Sequence, residues 1–424
     1  MKIAVIGGGA SGCLLAGLLA QAGSSDRQWQ VSLYEASGQL MRKLAATGNG
    51  RCNFTNVHLS PDHYTGGSSG FVEKTVSRYG HEEIRNFFSG LGLPSLSLES
   101  GMTYPRTMMA SSMIRAIGRW LADLPVHIVL SSRLVGLEKL SETGKRGNYR
   151  LSFEDGQNRE ADLVVLSTGG GYGIGKKEWS EGYSLAKQLG HTISRLHPGI
   201  VALRLEEADF CKKLAGLKLA ARIDIAGTDR SFQDDLLFTD YGISGIAVLM
   251  ASNDILDRME EGGGGRILVD LLPDYSRREA EDYVLSLKRA HPTWTPADLF
   301  TGLLPEDLIQ ALAEKSSGSL HIEGLNLPAG RSFQEEDLTG MVTKIKKLPF
   351  TVIGARKNDR GQISCGGINR REIDGERLES KLADNVFFTG EIMDVQGECG
   401  GYNLHWAWAS AFQVNQAIRE RFLR

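Results

Sequence analysis

A chain of 424 residues, 41% of them hydrophobic, is long enough for about three domains with real cores, which excludes a disordered or fibrous protein. A formal net charge of −3 offers no general attraction to nucleic acid, so DNA or RNA is an unfavoured partner from the outset. Cys13, Cys52, Cys211, Cys365 and Cys399 are odd in number and never spaced C-x-x-C; this argues against a disulfide framework, a zinc site or a dithiol pair, and suits a reducing cytoplasm.

Residues 2–6, Lys-Ile-Ala-Val-Ile, form a short β-branched run that meets Gly7-Gly-Gly-Ala-Ser-Gly12 at once. That reads as a buried strand entering a tight turn. Residues 13–22 are rich in Leu and Ala, lack proline and end at Gly23, as a helix does. Gly7, Gly9 and Gly12 therefore give G-x-G-x-x-G at a strand-to-helix junction. The first allows the turn, the second lets backbone approach a pyrophosphate, and the third lets helix and strand touch, with Ala10 and Ser11 at the helix start. A second strand, 31–35, ends in Glu35, followed by Ala36. Glu35 comes 23 residues after Gly12, where about 20 is usual for a ribose-binding carboxylate, and the polar insert 24–28 lengthens the connection. The first residues superficially resemble an export signal, but the glycine turn interrupts the apolar stretch and the phosphate-binding pattern explains it better. No other segment has the 18 or more apolar residues of a membrane helix.

Residues 41–56 show no periodicity and read as a loop. It places Arg42, Lys43, Arg51 and Asn53 within reach of a bound phosphate. Within it, T-G-N-G-R-C-N-x-T-N at 47–56 resembles the signature of a bacterial flavoprotein family described as BaiN-like or YhiN-type, also as aminoacetone-oxidase-like. The resemblance recurs at five further places and spans nearly the whole chain. It implies FAD as cofactor and carries Thr47, Gly48, Asn49, Gly50, Arg51, Cys52 and Asn53 over as cofactor contacts.

Helices are expected over 81–92 and 110–124, and strands over 126–130, 134–140 and 149–153, with a hairpin turn at 144–147. In related two-dinucleotide-type flavoproteins the strand near Val135 approaches the adenine; an ordinary edge strand is the competing reading. Residues 161–171 are an apolar strand running into Thr168-Gly169-Gly170, which resembles the A-T-G-G turn beside the dinucleotide in such proteins. The next loop, 172–180, lacks the family's Ser-Tyr-Pro pattern. Residues 181–191 match its G-Y-x-L-A-x-x-L-G-H helix, where Tyr183 and His191 read as packing and capping residues.

From about 198 the pattern changes to a small antiparallel sheet (200–205, 218–225, 231–238) followed by helices at 245–259, 277–290, 305–315 and 335–347. The glycines at 262–265 follow a helix, the wrong order for a second phosphate turn, which leaves no separate pyridine-nucleotide domain. Residues 237–247 resemble the family's L-F-T-H-x-G-x-S-G-P-A, but Asp240 stands for the usual His and Ile246 for the usual Pro, so a histidine base there does not transfer. Ser244 and Gly245 either face the cleft between domains or simply cap the next helix. The chain then returns to the nucleotide domain through strands at 350–355, 362–365 and 385–391. Gly390-Glu391-x-x-Asp394 resembles the second fingerprint of FAD enzymes, whose acidic side chain accepts from the ribityl chain. Gly400-Gly401-Tyr402-Asn403-Leu404 opens a helix to about 419 whose N-terminal amides would approach the flavin. Trp406 and Trp408 read as core.

The expected fold is α/β: a Rossmann-like FAD-binding domain of the two-dinucleotide type, built from 1–195 and 350–424. A β-rich inserted subdomain (196–252, 320–349) and a helical subdomain (253–319) complete it, with the substrate cleft between domains. The resemblance implies a cytoplasmic FAD-dependent oxidoreductase acting on a small organic substrate, with NAD(P)H as a candidate transient electron donor and no metal. No catalytic acid or base is assigned. The competing readings are a flavin-dependent RNA-modifying enzyme and a non-catalytic FAD-binding protein.

Overall fold

The opening run becomes the strand Lys2–Ile6, third of five in a parallel sheet, with Leu163–Leu166 on one side and Gln30–Tyr34 on the other. Val386–Phe388 and Val126–Val129 form its edges. Parallel strands covered on both faces carry continuous apolar runs, and Ile3 to Ile6 are all buried accordingly. The computed structural model describes residues 1–23, 29–65, 70–140, 149–171, 180–313, 334–356 and 361–423. The insert at 24–28, the turn at 144–147 and nearly all of the loop at 172–180 lie outside the described residues.

Two compact units emerge, one from Met1–Gly199 with Arg360–Arg424 and one from Ile200–Asp359. In the first, the opening helix Ala10–Gly23 and the closing helix Tyr402–Phe422 pack with the parallel sheet into one apolar cluster. Trp406 and Trp408 are buried in it, Trp408 meeting Phe88 edge-on at 5.1 Å; truncating such a side chain typically costs about 3–5 kcal/mol. Strands Leu134–Lys139, Tyr149–Phe153 and Asn158–Ala161 form a separate antiparallel sheet, the last of them unforeseen. The sequence reading also missed the helix Phe71–Arg78 and the strands Ser95–Ser97 and Met102–Pro105.

In the second unit the expected small antiparallel sheet is larger and closed. Leu203–Leu205, Gly242–Ser244, Ser231–Thr239, Lys218–Ile225, Arg266–Asp270 and Leu348–Ala355 close into a six-stranded antiparallel barrel. Leu348–Ala355, expected in the nucleotide domain, pairs with both Leu203–Leu205 and Arg266–Asp270 and closes the barrel, so the first unit resumes at Arg360 rather than 350. Arg266–Asp270 lies inside the segment expected to be helical, and barrel and helices share one apolar cluster. Gly245 is the N-cap of the helix Ile246–Glu260, and Asp240 is exposed beyond the end of Ser231–Thr239.

Candidate functional site

The three glycines of the opening turn have three different surroundings. Gly7 has φ +108°, and a Cβ there would lie 2.5 Å from the Ser167 carbonyl oxygen; a Cβ on Gly12 would run into the Gly7 carbonyl. Gly9 has no atom within 4 Å of that position. Two glycines thus serve chain packing, and the third faces open space beside the start of a 14-residue helix. The first-turn N–H groups at Ala10, Ser11 and Gly12 have no intrahelical acceptor, the arrangement that binds phosphate.

Glu35, half-buried at the end of its strand and followed by half-buried Ala36, is held in place. Its Oε2 accepts from the Gly8 N–H at 2.7 Å and its Oε1 from the Ser37 N–H at 2.7 Å.

Residues 41–56, expected to be a plain loop, contain the short helix Arg42–Ala46, the 3-10 turn Thr47–Gly50 and the strand Thr55–Asn56. Met41, Gly48, Gly50 and Cys52 all have positive φ, which folds the segment tightly. The Thr47 hydroxyl donates to the Leu44 carbonyl, and Asn49 lies within the 3-10 turn. Arg42 and Arg51 are exposed and form no ion pair among the described residues. Asn53 Oδ1 accepts from the Thr103 N–H. Burial pushes the Cys52 thiol up to about 12, so it is no thiolate nucleophile at neutral pH.

Lys43 reaches across the chain to Glu391, its Nζ 2.6 and 2.7 Å from the two carboxylate oxygens. Glu391 also accepts from the N–H groups of Ser364 at 2.7 Å and Gly170 at 3.4 Å. Three protein donors thus reach the Glu391 carboxylate, which has about four acceptor positions. Gly169, at φ +66°, follows Thr168, and a Cβ on it would lie 3.5 Å from Glu391. Asp394 accepts from Gln396 Nε2 at 3.0 Å. A Cβ on Gly390 would lie 2.8 Å from Ser11 Oγ, and Trp406 Nε1 donates to the Gly390 carbonyl at 3.2 Å.

Gly400 and Gly401, at φ +141° and +100°, lead into the closing helix. Asn56 Nδ2 donates to the Gly400 carbonyl at 2.9 Å, and a Cβ on Gly401 would lie 2.7 Å from both Asn53 Oδ1 and the Thr55 carbonyl oxygen. Tyr402 stacks on His63 at 4.4 Å and receives the Tyr64 hydroxyl on its carbonyl. Asn403 exchanges hydrogen bonds with the Gly397 backbone, and Leu404 is half-buried. His405, which the motif search passed over, is fully buried. Its Nε2–H donates to the Tyr79 carbonyl at 2.9 Å, which leaves Nδ1 to accept from Thr55 Oγ1 at 2.8 Å. Burial lowers its pKa to about 3, so the ring is neutral.

Val135 has no such tie to the glycine turn among the described residues: the residue is 47% exposed and its carbonyl accepts from Gln188. The residue that sequence reasoning undervalued is Tyr183. Its hydroxyl is buried and has no hydrogen-bond partner among the described residues, beside Gly170 and near Glu391, Asp394 and Cys365. A cleft of about 360 Å³ lined by Lys2, Gln30, Ser32, Arg159 and Glu160 includes the amino ends of two sheet strands; open parallel sheets take ligands at the carboxyl ends. No helix among the described residues is long and apolar enough to cross a membrane.

Residues 1–417 match the HI0933-like protein Rossmann domain. The chain belongs to that family of flavin-dependent oxidoreductases. Within the HI0933-like proteins, it is 34% identical over 425 residues to the 3-dehydro-bile acid delta(4,6)-reductase of Clostridium scindens, covering 99% of each chain. The ribosomal RNA dihydrouridine synthases of Haemophilus influenzae and Escherichia coli are 27% and 26% identical, each over 98% of this chain and 97% of their own.

Proposed function

We propose that this chain holds FAD along the line from Glu35 through Gly9 to Gly401 and uses it to reduce an activated carbon–carbon double bond in a small cytoplasmic molecule. The observation that carries the cofactor part is the open space at Gly9, between two glycines packed tight against protein. A helix N-terminus and an anchored strand-end carboxylate flank it. Glu35 would hold the ribose, the amides at Ala10, Ser11 and Gly12 the pyrophosphate, and Arg42 and Arg51 its remaining charge. Lys43, Gly170 and Ser364 orient Glu391 at the far wall, and the amides opening the closing helix would meet the flavin ring. Bound there, FAD supplies a hydride at N5 in its reduced form.

The substrate class is inferred from the chemistry that the relatives' names share. A 4,6-unsaturated 3-ketone and a uracil ring both present a C=C conjugated to a carbonyl, and both names describe its saturation. RNA is the second reading, since two relatives are ribosomal RNA enzymes. RNA binding calls for a Lys/Arg-rich surface. Residues 200–359 instead hold 19 Lys and Arg against 26 Asp and Glu, of 48 and 51 in the whole chain. That balance favours a small molecule. NAD(P)H is the proposed donor, used transiently, and five cysteines, odd in number and never spaced C-x-x-C, fit a reducing cytoplasm.

The test is a single turnover without oxygen. Photoreduced protein is mixed with a steroid 4-en-3-one, with cyclohexenone and with a ribosomal RNA transcript. Recovery of the oxidised flavin band with an enone is expected; recovery with RNA alone, together with dihydrouridine in the product, would replace this reading with the second. No recovery with any acceptor would favour a non-catalytic FAD protein.

A further inference from the structure

Around Glu391 the polar groups satisfy one another. Lys43 and the Gly170 and Ser364 amides occupy the carboxylate, and Gln396 binds Asp394. The exception is Tyr183, the third residue of the helix Glu181–Gln188, which is 4% exposed and whose hydroxyl has no partner among the described residues. That oxygen lies 3.2 Å from where a Cβ on Gly170 would stand, on the glycine turn after Leu163–Leu166. An unmet buried hydroxyl carries its full desolvation penalty, so native structures rarely keep one without a use. Burial and the nearby Glu391, Asp394 and Cys365 hold the phenol well above its ordinary pKa, so it stays protonated. The neighbouring carboxylates are already engaged; what the hydroxyl lacks is an acceptor.

We propose that Tyr183 donates this hydrogen bond to the FAD bound beside Glu391, which makes it a cofactor-contacting residue rather than a packing residue. The inference rests on the FAD reading above. It predicts a sign that a packing role does not: the cofactor-free protein has nothing to lose when the hydroxyl is removed, and the FAD complex does.

The experiment is Tyr183→Phe in the full chain, with the melting temperature of the FAD-free protein, FAD titration by fluorescence quenching, and the flavin absorption spectrum measured beside wild type. The expected result is an FAD-free melting temperature that is unchanged or higher, an FAD dissociation constant raised about 5- to 10-fold, and a shifted flavin band. Equal FAD affinity with an unchanged spectrum would overturn the inference. So would a variant whose FAD-free form melts several degrees lower or fails to fold, because the hydroxyl would then serve the fold. An effect confined to KM or kcat for an enone would assign it to the substrate and overturn it too. Wild type is titrated first: if it takes up no FAD, the cofactor reading fails and this one with it, whereas uptake by wild type and variant alike defeats only this one.

Discussion

The barrel unit and the nucleotide unit are fastened in different ways. In residues 200–359, strands close a ladder of antiparallel neighbours over an apolar cluster that includes Phe238, Phe300 and Phe350. In the nucleotide unit, the walls of the candidate site are joined by side-chain hydrogen bonds between the chain's two ends. Thr55 and His405 are 350 positions apart, Lys43 and Glu391 348, Asn56 and Gly400 344, and Tyr64 and Tyr402 338. A ladder shares its load among many regularly spaced bonds, whereas these ties join scattered loop and helix-end residues. The site should therefore be far more sensitive to single changes than the barrel.

The largest effect is expected from Gly401→Val. Its Cβ would press on Asn53 and the Thr55 backbone at a φ of +100°, a cost of about 3 kcal/mol. FAD binding should be lost, while hydrogen exchange in the barrel strands stays as in wild type; exchange that quickens equally in both units would break the contrast.

The His405 tie gives a pH dependence. Its folded pKa of about 3 lies below the unfolded value of about 6.5, so between these values the unfolded chain binds more protons. Stability present above about pH 6.5 is lost as pH falls towards 3, by at most about 1.4 kcal/mol per pH unit. His191, lowered by burial although Glu372 opposes it, acts with the same sign. His405→Gln should flatten the plot of melting temperature against pH between 7 and 5, and an unchanged slope would remove His405 as its source.

Loss of Lys43 should be milder. Lys43→Met leaves Glu391 with its two amide donors, and the FAD dissociation constant should rise about tenfold in a fluorescence titration. Lys218→Ala, on the barrel, removes an exposed pair with Asp235 and should change stability by less than about 0.5 kcal/mol, with no change in FAD affinity.

The same contrast explains what the sequence made legible. The glycine turn, Glu35 and the closing G-G-Y-N-L are local patterns, and each lies on the element expected of it. Barrel closure was not legible, because the pairing of Leu205 with Val352 joins segments far apart in sequence and neither carries a mark of its partner. The short helix Arg42–Ala46 escaped notice because five residues show no periodicity and it starts from a left-handed Met41. The Glu391 network and the unmet Tyr183 hydroxyl are facts about neighbours in space. Motif matching places Glu391 and Tyr183 on their elements; only packing brings Lys43 and the Ser364 and Gly170 amides to the Glu391 carboxylate.

The central claim is that the opening turn holds FAD, and Gly9→Val tests it most directly. The new side chain meets nothing within 4 Å of its Cβ in the FAD-free protein, so the fold has no reason to weaken, yet it fills the space proposed for the pyrophosphate. Equilibrium FAD titration should show one flavin bound per wild-type chain and none per Gly9→Val chain of equal melting temperature. A variant that binds FAD as tightly as wild type would contradict the account.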